Sequence, residues 1–145
     1  MKNLLSALLL FSILFTVGCD DDDATEDASL VGTWELMGGT VVIHSTPERT
    51  ITFTSPDVSN TLVLAEDGSY SENGTFDGEI ATFSGTWSET GNVLTFVVTS
   101  GTEIDGTETW LNNYTLSGDV LTLVAEEEGD FDEDAETITL EYARQ

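Results

Sequence analysis

Carboxylates at alternating positions near the C-terminus are the side chains most suited to metal chemistry. They are Asp130, Asp132, Asp134 and Glu136. Ca²⁺ prefers carboxylate oxygens, and Glu141 follows eleven residues after Asp130, a spacing that partly matches a calcium-binding loop. Ala135 stands where such a loop needs Gly, so an EF-hand is not expected. Two interpretations stay open: looser ligation of Ca²⁺ by the clustered carboxylates, or a solvated loop of an acidic protein.

Aromatic side chains are the second candidate group, because they could hold an apolar or planar ligand. The candidate ligand-binding residues are Trp34, Tyr70, Phe83, Trp87, Phe96 and Trp110. The same side chains could instead fill a hydrophobic core, where aromatics contribute large buried areas. We expect a mostly filled interior with at most a small pocket at one end, bounded by Trp87 and Trp110.

Catalytic residues are poorly represented. His44 is the only histidine, and it has no local partner that would make it a general base. Neither a G-x-S-x-G nor an H-E-x-x-H motif is present, and no Gly-rich phosphate loop precedes a helix. We therefore expect a non-enzymatic protein without catalytic residues. A hydrolase would require a cleft that gathers His44 with carboxylates.

Composition excludes several further classes. The 145 residues include 28 acidic and only 3 basic side chains, for a net charge of −25. Binding to a phosphate backbone needs Lys and Arg, so nucleic acid is not an expected partner. A single Cys rules out an intramolecular disulfide or a thiolate zinc site. Apart from the Ca²⁺ considered above, no cofactor is expected, and the length allows one domain.

The N-terminal 18 residues have the pattern of an export signal. Lys2 precedes an apolar run from Leu4 to Val17, which is too short to span a bilayer as a helix, and Gly18-Cys19 follows. This resembles a bacterial lipoprotein signal peptide (1–18), with Thr16 in place of the usual aliphatic residue. The resemblance implies lipidation of Cys19, cleavage before it and acylation, for example with palmitate. An ordinary secretory signal with a chance Cys is the alternative.

Residues 19–29 read as an acidic tether. Asp20 to Asp23 follow the cysteine directly, and the stretch has no apolar face, so its charges keep it extended. In some Gram-negative lineages acidic residues at this place act as a surface-export signal, which this stretch resembles. We therefore expect a membrane partner through a lipid anchor in the bacterial envelope, at the outer membrane. Surface exposure and attachment facing the periplasm both stay open.

Residues 30–145 alternate apolar and polar side chains with the period of half-buried strands. Turn triplets separate these runs at short spacing: Glu66-Asp67-Gly68, Thr90-Gly91-Asn92 and Ser117-Gly118-Asp119. A short strand at Thr50–Phe53, broken on both sides by Pro, is predicted at a sheet edge. Hairpins in series with amphipathic strands favour closure into a barrel, because open edges invite aggregation.

Four motifs in order carry a family resemblance. They are Leu30-Val-Gly-Thr-Trp-Glu-Leu36, Thr61-Leu-Val-Leu-Ala-Glu-Asp-Gly-Ser-Tyr70, Gly85-Thr-Trp-Ser and Tyr114-Thr-Leu-Ser-Gly-Asp-Val-Leu-Thr-Leu123. Together they resemble bacterial lipocalin-like lipoprotein domains, which are calycin-type β-barrels. In that family the Trp of Gly-x-Trp plugs one barrel end and a late Arg packs over it, so the resemblance implies these roles for Trp34 and Arg144. An avidin-like barrel shares only the Gly-Thr-Trp opening.

The sequence thus predicts an all-β protein: one antiparallel up-and-down β-barrel of 8–10 strands after a signal peptide and acidic tether. The resemblance implies a non-enzymatic, envelope-anchored lipocalin-like lipoprotein that binds a small apolar ligand. The alternative is a structural or protein-interaction module of the envelope with a filled core and acidic loops. We expect a monomer in either case.

Overall fold

The computed structural model describes residues 29–76, 78–128 and 134–145. Its regular elements there are all strands: β1 (Gly32–Ile43), β2 (Arg49–Thr54), β3 (Ser59–Leu64), β4 (Ser69–Phe76), β5 (Glu79–Thr90), β6 (Val93–Gly101), β7 (Glu108–Ser117), β8 (Val120–Glu127) and β9 (Glu136–Arg144). The predicted all-β class is confirmed. These residues contain no helix that is long and apolar enough to cross a membrane.

The sheet closes on itself. From β3 to β9 each strand pairs with the next one along the chain, always antiparallel, and β9 pairs with β1. One long strand, β1, pairs with β2 along Gly38–Ile43 and with β3 along Gly32–Glu35, so β2 and β3 share one position in the barrel. The result is the predicted up-and-down barrel, with eight strand positions built from nine strands.

Glycines with positive φ make the tight turns between neighbouring strands. Gly68, Gly91 and Gly118 have φ values of 80°, 63° and 58°, and each lies in one of the predicted turn triplets. A residue with a Cβ is strained at these angles, which is why the turns use Gly. The triplets therefore mark the hairpins that place β4, β6 and β8 antiparallel to the strands before them.

Alternating side chains of the strands meet in the barrel interior, to which β2 adds Phe53, a half-buried side chain packed against the core. In β6, for example, Leu94, Phe96 and Val98 are buried while Thr95 and Val97 are only half-buried. The core consists of apolar and aromatic side chains: Leu30, Trp34, Leu36, Leu62, Leu64, Tyr70, Leu94, Phe96, Val98, Leu121, Leu123 and Tyr142. Burial of one such side chain contributes about 1.5–3 kcal/mol, so this cluster supplies the main stabilisation of the barrel.

The lower end of the barrel, where β1 begins, is plugged. Trp34 is fully buried, and its Nε1 donates to the Leu30 carbonyl oxygen at 2.9 Å. The Arg144 guanidinium lies 4.4 Å from the Trp34 ring centroid and donates to the carbonyl oxygens of Val31, at 3.1 Å, and Ser29. A side chain at Gly32 would collide with Arg144 Nη1. The structure thus confirms the packing that the family resemblance implied for Trp34 and Arg144.

Some predictions lie outside the described residues. They concern the signal peptide 1–18, the lipidation site Cys19 with the tether through residue 28, and two of the four candidate metal ligands, Asp130 and Asp132. The predicted acidic loop from Glu126 to Glu136 is shorter at both ends, because β8 continues to Glu127 and β9 already begins at Glu136. The edge position predicted for Thr50–Phe53 is confirmed by β2, which ends the strand order.

Candidate functional site

The barrel wall opens between β7 and β8. Their pairing begins at Ser117 with Val120 and stops at Asn113 with Val124. Beyond that point Glu108–Asn112 pairs only with β6, and Ala125–Glu127 pairs only with β9. We call this separation, between Glu108–Asn112 and Ala125–Glu127, the lateral cleft. It lies in the half of the barrel towards the upper end, where β1 finishes.

A cavity of about 500 Å³ lies behind the lateral cleft. Its walls are mostly apolar and come from six strands, with Leu62, Phe96, Trp110, Leu123, Leu140 and Tyr142 among the lining side chains. The volume is in the range of about 300–1,000 Å³ that small-molecule sites occupy. The predicted filled interior therefore holds for the lower half only, and the upper half contains a pocket reached through the side of the barrel.

Glu72 places one carboxyl group in this apolar cavity. It is partly buried on the inner face of β4, and the Asn60 side-chain amide of β3 donates a hydrogen bond to its Oε1. Two polar atoms on neighbouring buried positions, Asn60 Oδ1 and the Tyr70 hydroxyl, have no hydrogen-bond partner within the described ranges. Buried polar groups are nearly always paired, so this trio is unusual for a core.

Burial raises the pKa values of Glu72 and of two tyrosines near it, Tyr70 and Tyr142. Burial raises the pKa of the Glu72 carboxyl, and the Asn60 hydrogen bond only partly opposes this. Burial, and then the charge of Glu72, raises the pKa of Tyr70 to about 12. The same two causes raise the pKa of Tyr142 on β9. Glu72 therefore lies close enough to both phenols for its charge to be felt.

The predicted ligand-binding aromatics divide between several places. Phe96 and Trp110 line the cavity, and Phe83 packs edge-to-face on Trp110 with ring centroids 5.0 Å apart. Tyr70 packs edge-to-face on Phe96 at 4.9 Å. Trp34, by contrast, is the lower plug. One wall of the cavity is thus formed by Phe96 and Trp110 and supported by Phe83 and Tyr70, whereas Trp34 is structural.

Trp87 and Trp110 pair with Phe96 from either side of β6 but line different pockets, contrary to the expectation that both bound one pocket. Its Nε1 donates to the Ala65 carbonyl oxygen at 3.0 Å, beside the β3–β4 turn. It lines a second depression, of about 660 Å³, at the lower rim together with Leu30 and Tyr114. This depression is larger but lies outside the plugged end, so the cavity behind the lateral cleft is the better enclosed site. The two indoles have different partners: Trp87 bonds the Ala65 carbonyl oxygen, whereas Trp110 packs on Phe83 and bonds Glu108.

His44 is exposed in the connection after β1, at the upper end. Its Nε2 lies 2.9 Å from Thr137 Oγ1, and its Nδ1 lies 3.4 Å from Glu48 Oε2. These are partners on an exposed surface, and His44 lines neither the cavity behind the lateral cleft nor the depression beside Trp87.

The two candidate metal ligands that the structure describes, Asp134 and Glu136, lie in different environments. Asp134 is exposed in the loop, and Glu136 is partly buried at the start of β9, opposite Glu127. No group of three or more potential metal ligands occurs in residues 29–76, 78–128 and 134–145. The Ca²⁺ hypothesis thus depends on Asp130 and Asp132 and stays a prediction.

Glu72 and Asn60 are the site residues that sequence reasoning missed, although the alternation contains their signal. Glu72 is two residues from Tyr70, and Asn60 is two residues from Leu62, so each shares the face of a core side chain. A charged or amide side chain on an apolar face is the informative exception to a strand pattern. No sequence signal, however, shows that β7 and β8 separate beside them.

A family model for the lipocalin-like domain matches residues 30–123 of the chain. The match begins two residues before β1 and ends in β8, so it includes Trp34 of the plug and the cavity wall from β3 to β7, but not Arg144 or β9. No curated protein sequence matches the chain significantly.

Proposed function

Because the chain belongs to the lipocalin-like domain family, we propose that it is a non-enzymatic binding protein that holds one small apolar molecule in the cavity behind the lateral cleft. The observation that carries the proposal is that apolar cavity, of about 500 Å³ and open through the barrel wall. A core that served only stability would gain by filling such a space, since unfilled volume weakens packing.

The proposal is tested by titrating the protein with a neutral apolar fluorophore, N-phenyl-1-naphthylamine. We expect saturable binding at one-to-one stoichiometry with quenching of Trp fluorescence, because Trp110 lines the cavity. Ala125→Phe places a ring in the cavity from β8 and should abolish binding. Ala143→Phe is the matched control, because Ala143 lies on β9 next to the inward-facing Tyr142 and so has the opposite orientation.

Two results would contradict the proposal. One is the absence of saturable binding by the folded wild-type protein. The other is unchanged binding by Ala125→Phe, which would place the fluorophore elsewhere, for example in the depression beside Trp87. Circular dichroism of each variant establishes that the barrel is intact.

Envelope anchoring through Cys19 is the second part of the proposal, and the sequence pattern supports it. Two or more acyl chains anchor a protein stably where one does not. Wild-type protein expressed in a Gram-negative host should incorporate labelled palmitate and partition into detergent, and Cys19→Ser should do neither. Complete detergent partitioning of processed Cys19→Ser would refute the lipid anchor.

A structural or interaction module is the second candidate function, favoured by the exposed edge at β2. This strand ends the sheet order, and Ile51 on it is 53% exposed. Such an edge can pair with a strand of another protein. If the titration shows no ligand, Ile51→Lys would test this candidate through the loss of co-purifying partners from a cross-linked envelope fraction.

A further inference from the structure

One carboxyl group, that of Glu72, lies on the β4 wall of the cavity. Glu72 lines the cavity and receives a hydrogen bond from Asn60, leaving most of its acceptor sites unused among the described side chains. The Tyr70 hydroxyl and Asn60 Oδ1 also lack partners there, but both atoms are buried and neither residue lines the cavity. Glu72 is thus the acceptor that a ligand in the cavity can reach, and it matches a ligand that brings donors.

The charge around the cavity has one sign. Among its lining residues the ionisable side chains that carry charge are carboxylates, Glu72 inside and Glu126 and Glu127 at the cleft, without Lys, Arg or His. Glu108, on the opposite edge of the cleft, accepts a hydrogen bond from Trp110 Nε1 at 3.1 Å. With a whole-chain charge of −25, the field at the cleft concentrates cations and repels anions.

We propose that the ligand is a cationic amphiphile, whose ammonium head pairs with Glu72 and whose apolar chain lies along Phe96, Leu123 and Leu140 towards the cleft. A primary ammonium has three donors and no acceptor. Glu72 supplies the acceptor, since a carboxylate has about four lone-pair sites and the Asn60 hydrogen bond occupies one of them. This inference rests on the proposed function, because it identifies the chemical class that the same cavity takes.

The alternative head groups fit less well. A fatty-acid carboxylate would face Glu72 in an apolar cavity, and like charges in a desolvated site repel strongly. A neutral alcohol brings one donor and no charge, so its hydrogen bond to Glu72 is weaker than that of an ammonium. An ammonium also favours the charged form of Glu72, and so compensates for the burial that raises its pKa.

The test compares three probes with the same twelve-carbon chain: dodecylammonium, dodecanol and dodecanoate, each below its micelle concentration. Isothermal titration is carried out near pH 7 in about 0.15 M NaCl, where the Debye length of about 8 Å screens general attraction to the acidic surface. We expect dodecylammonium to bind about tenfold or more tightly than dodecanol, and dodecanoate to bind most weakly. Glu72→Gln should remove the advantage of the ammonium while leaving dodecanol affinity within about twofold.

Glu141→Gln is the matched control, because it removes the same charge from an exposed position on β9. It should leave the order of the three probes unchanged. Dodecanol bound as tightly as dodecylammonium, or ammonium binding that survives Glu72→Gln, would overturn this inference while the apolar-ligand function stands. Failure of all three probes to bind would overturn both.

Discussion

The plugged lower end of the barrel and the cavity differ in whether their buried polar atoms have hydrogen-bond partners. At the lower end each described polar group of the plug has a partner: Trp34 donates to Leu30, and Arg144 donates to Val31 while covering the indole ring. Next to Glu72, which lines the cavity, the buried Asn60 Oδ1 and Tyr70 hydroxyl lack partners among the described residues. Since a buried polar group without a partner costs about 1–3 kcal/mol, the difference indicates that the lower end is built for stability and the cavity for binding.

The largest expected effect on stability comes from removing Trp34, the side chain that plugs the lower end. Trp34→Ala should lower the free energy of unfolding by about 3–5 kcal/mol, because the indole is fully buried and its hydrogen bond is lost. Urea unfolding followed by circular dichroism measures this. Leu111→Ala, at a side chain 62% exposed, is the control and should change stability by less than about 0.5 kcal/mol. A small effect of Trp34→Ala would mean that the lower end does not hold the barrel together.

Removal of the guanidinium over the plug comes next. Arg144→Met keeps an apolar stem over Trp34 but loses the cation–π contact and the hydrogen bonds to the chain before β1, for about 1–3 kcal/mol. Asp119→Asn measures the ion pair between Arg144 and Asp119 separately. The distance from Arg144 Nε to Asp119 Oδ1 is 3.5 Å, and the carboxylate is exposed. That variant should be near neutral, because exposed pairs contribute little. Equal losses in the two variants would assign the effect to the ion pair.

A cavity aromatic should behave differently from the plug. Trp110 is only half-buried, so Trp110→Ala should lower stability by about 1–2 kcal/mol, less than Trp34→Ala. The same change removes a wall of the cavity and should weaken fluorophore binding by about tenfold or more. Parallel urea unfolding and titration separate the two effects. A stability loss equal to that of Trp34→Ala, with unchanged affinity, would erase the distinction between the two ends.

The smallest effect concerns the pH dependence of stability. Burial raises the pKa of Glu72 above its ordinary value of 4.5 in the folded protein, so the folded state keeps a proton that the unfolded state releases. This contribution is complete below pH 4.5 and is lost as pH rises through the folded pKa. Glu72→Gln cannot ionise, so its Tm should exceed that of the wild type by a few degrees near neutral pH, and the difference should shrink on acidification.

The groups that face Glu72 do not obscure this measurement. Tyr70 and Tyr142 stay protonated because their pKa values are raised, and the remaining neighbours on β3 and β5, Asn60 and Phe83, do not titrate. The carboxylates of Glu126 and Glu127 lie at the exposed cleft and are common to both proteins. A Tm difference that is constant from acid to neutral pH would show that Glu72 is not responsible for it.

Much of the architecture is readable in the sequence. Alternation identified the inward faces of β5 and β6, and the three turn triplets marked hairpins because Gly tolerates positive φ. The position of Trp34 under Arg144 followed from the family resemblance and is confirmed. These features depend on a residue and its immediate neighbours, or on a motif, so a linear pattern is enough to predict them.

The cavity was decided by tertiary structure alone. Glu72 shares its face with Tyr70 on one strand, and the β3–β4 hairpin brings Asn60 to it, but Tyr142 comes from β9, which the sequence does not place there. The opening arises because β7 follows β6 along Glu108–Asn112 while β8 follows β9 along Ala125–Glu127. Local alternation determines which way a side chain faces; the register of a closed sheet determines what it meets, and that register depends on every strand at once.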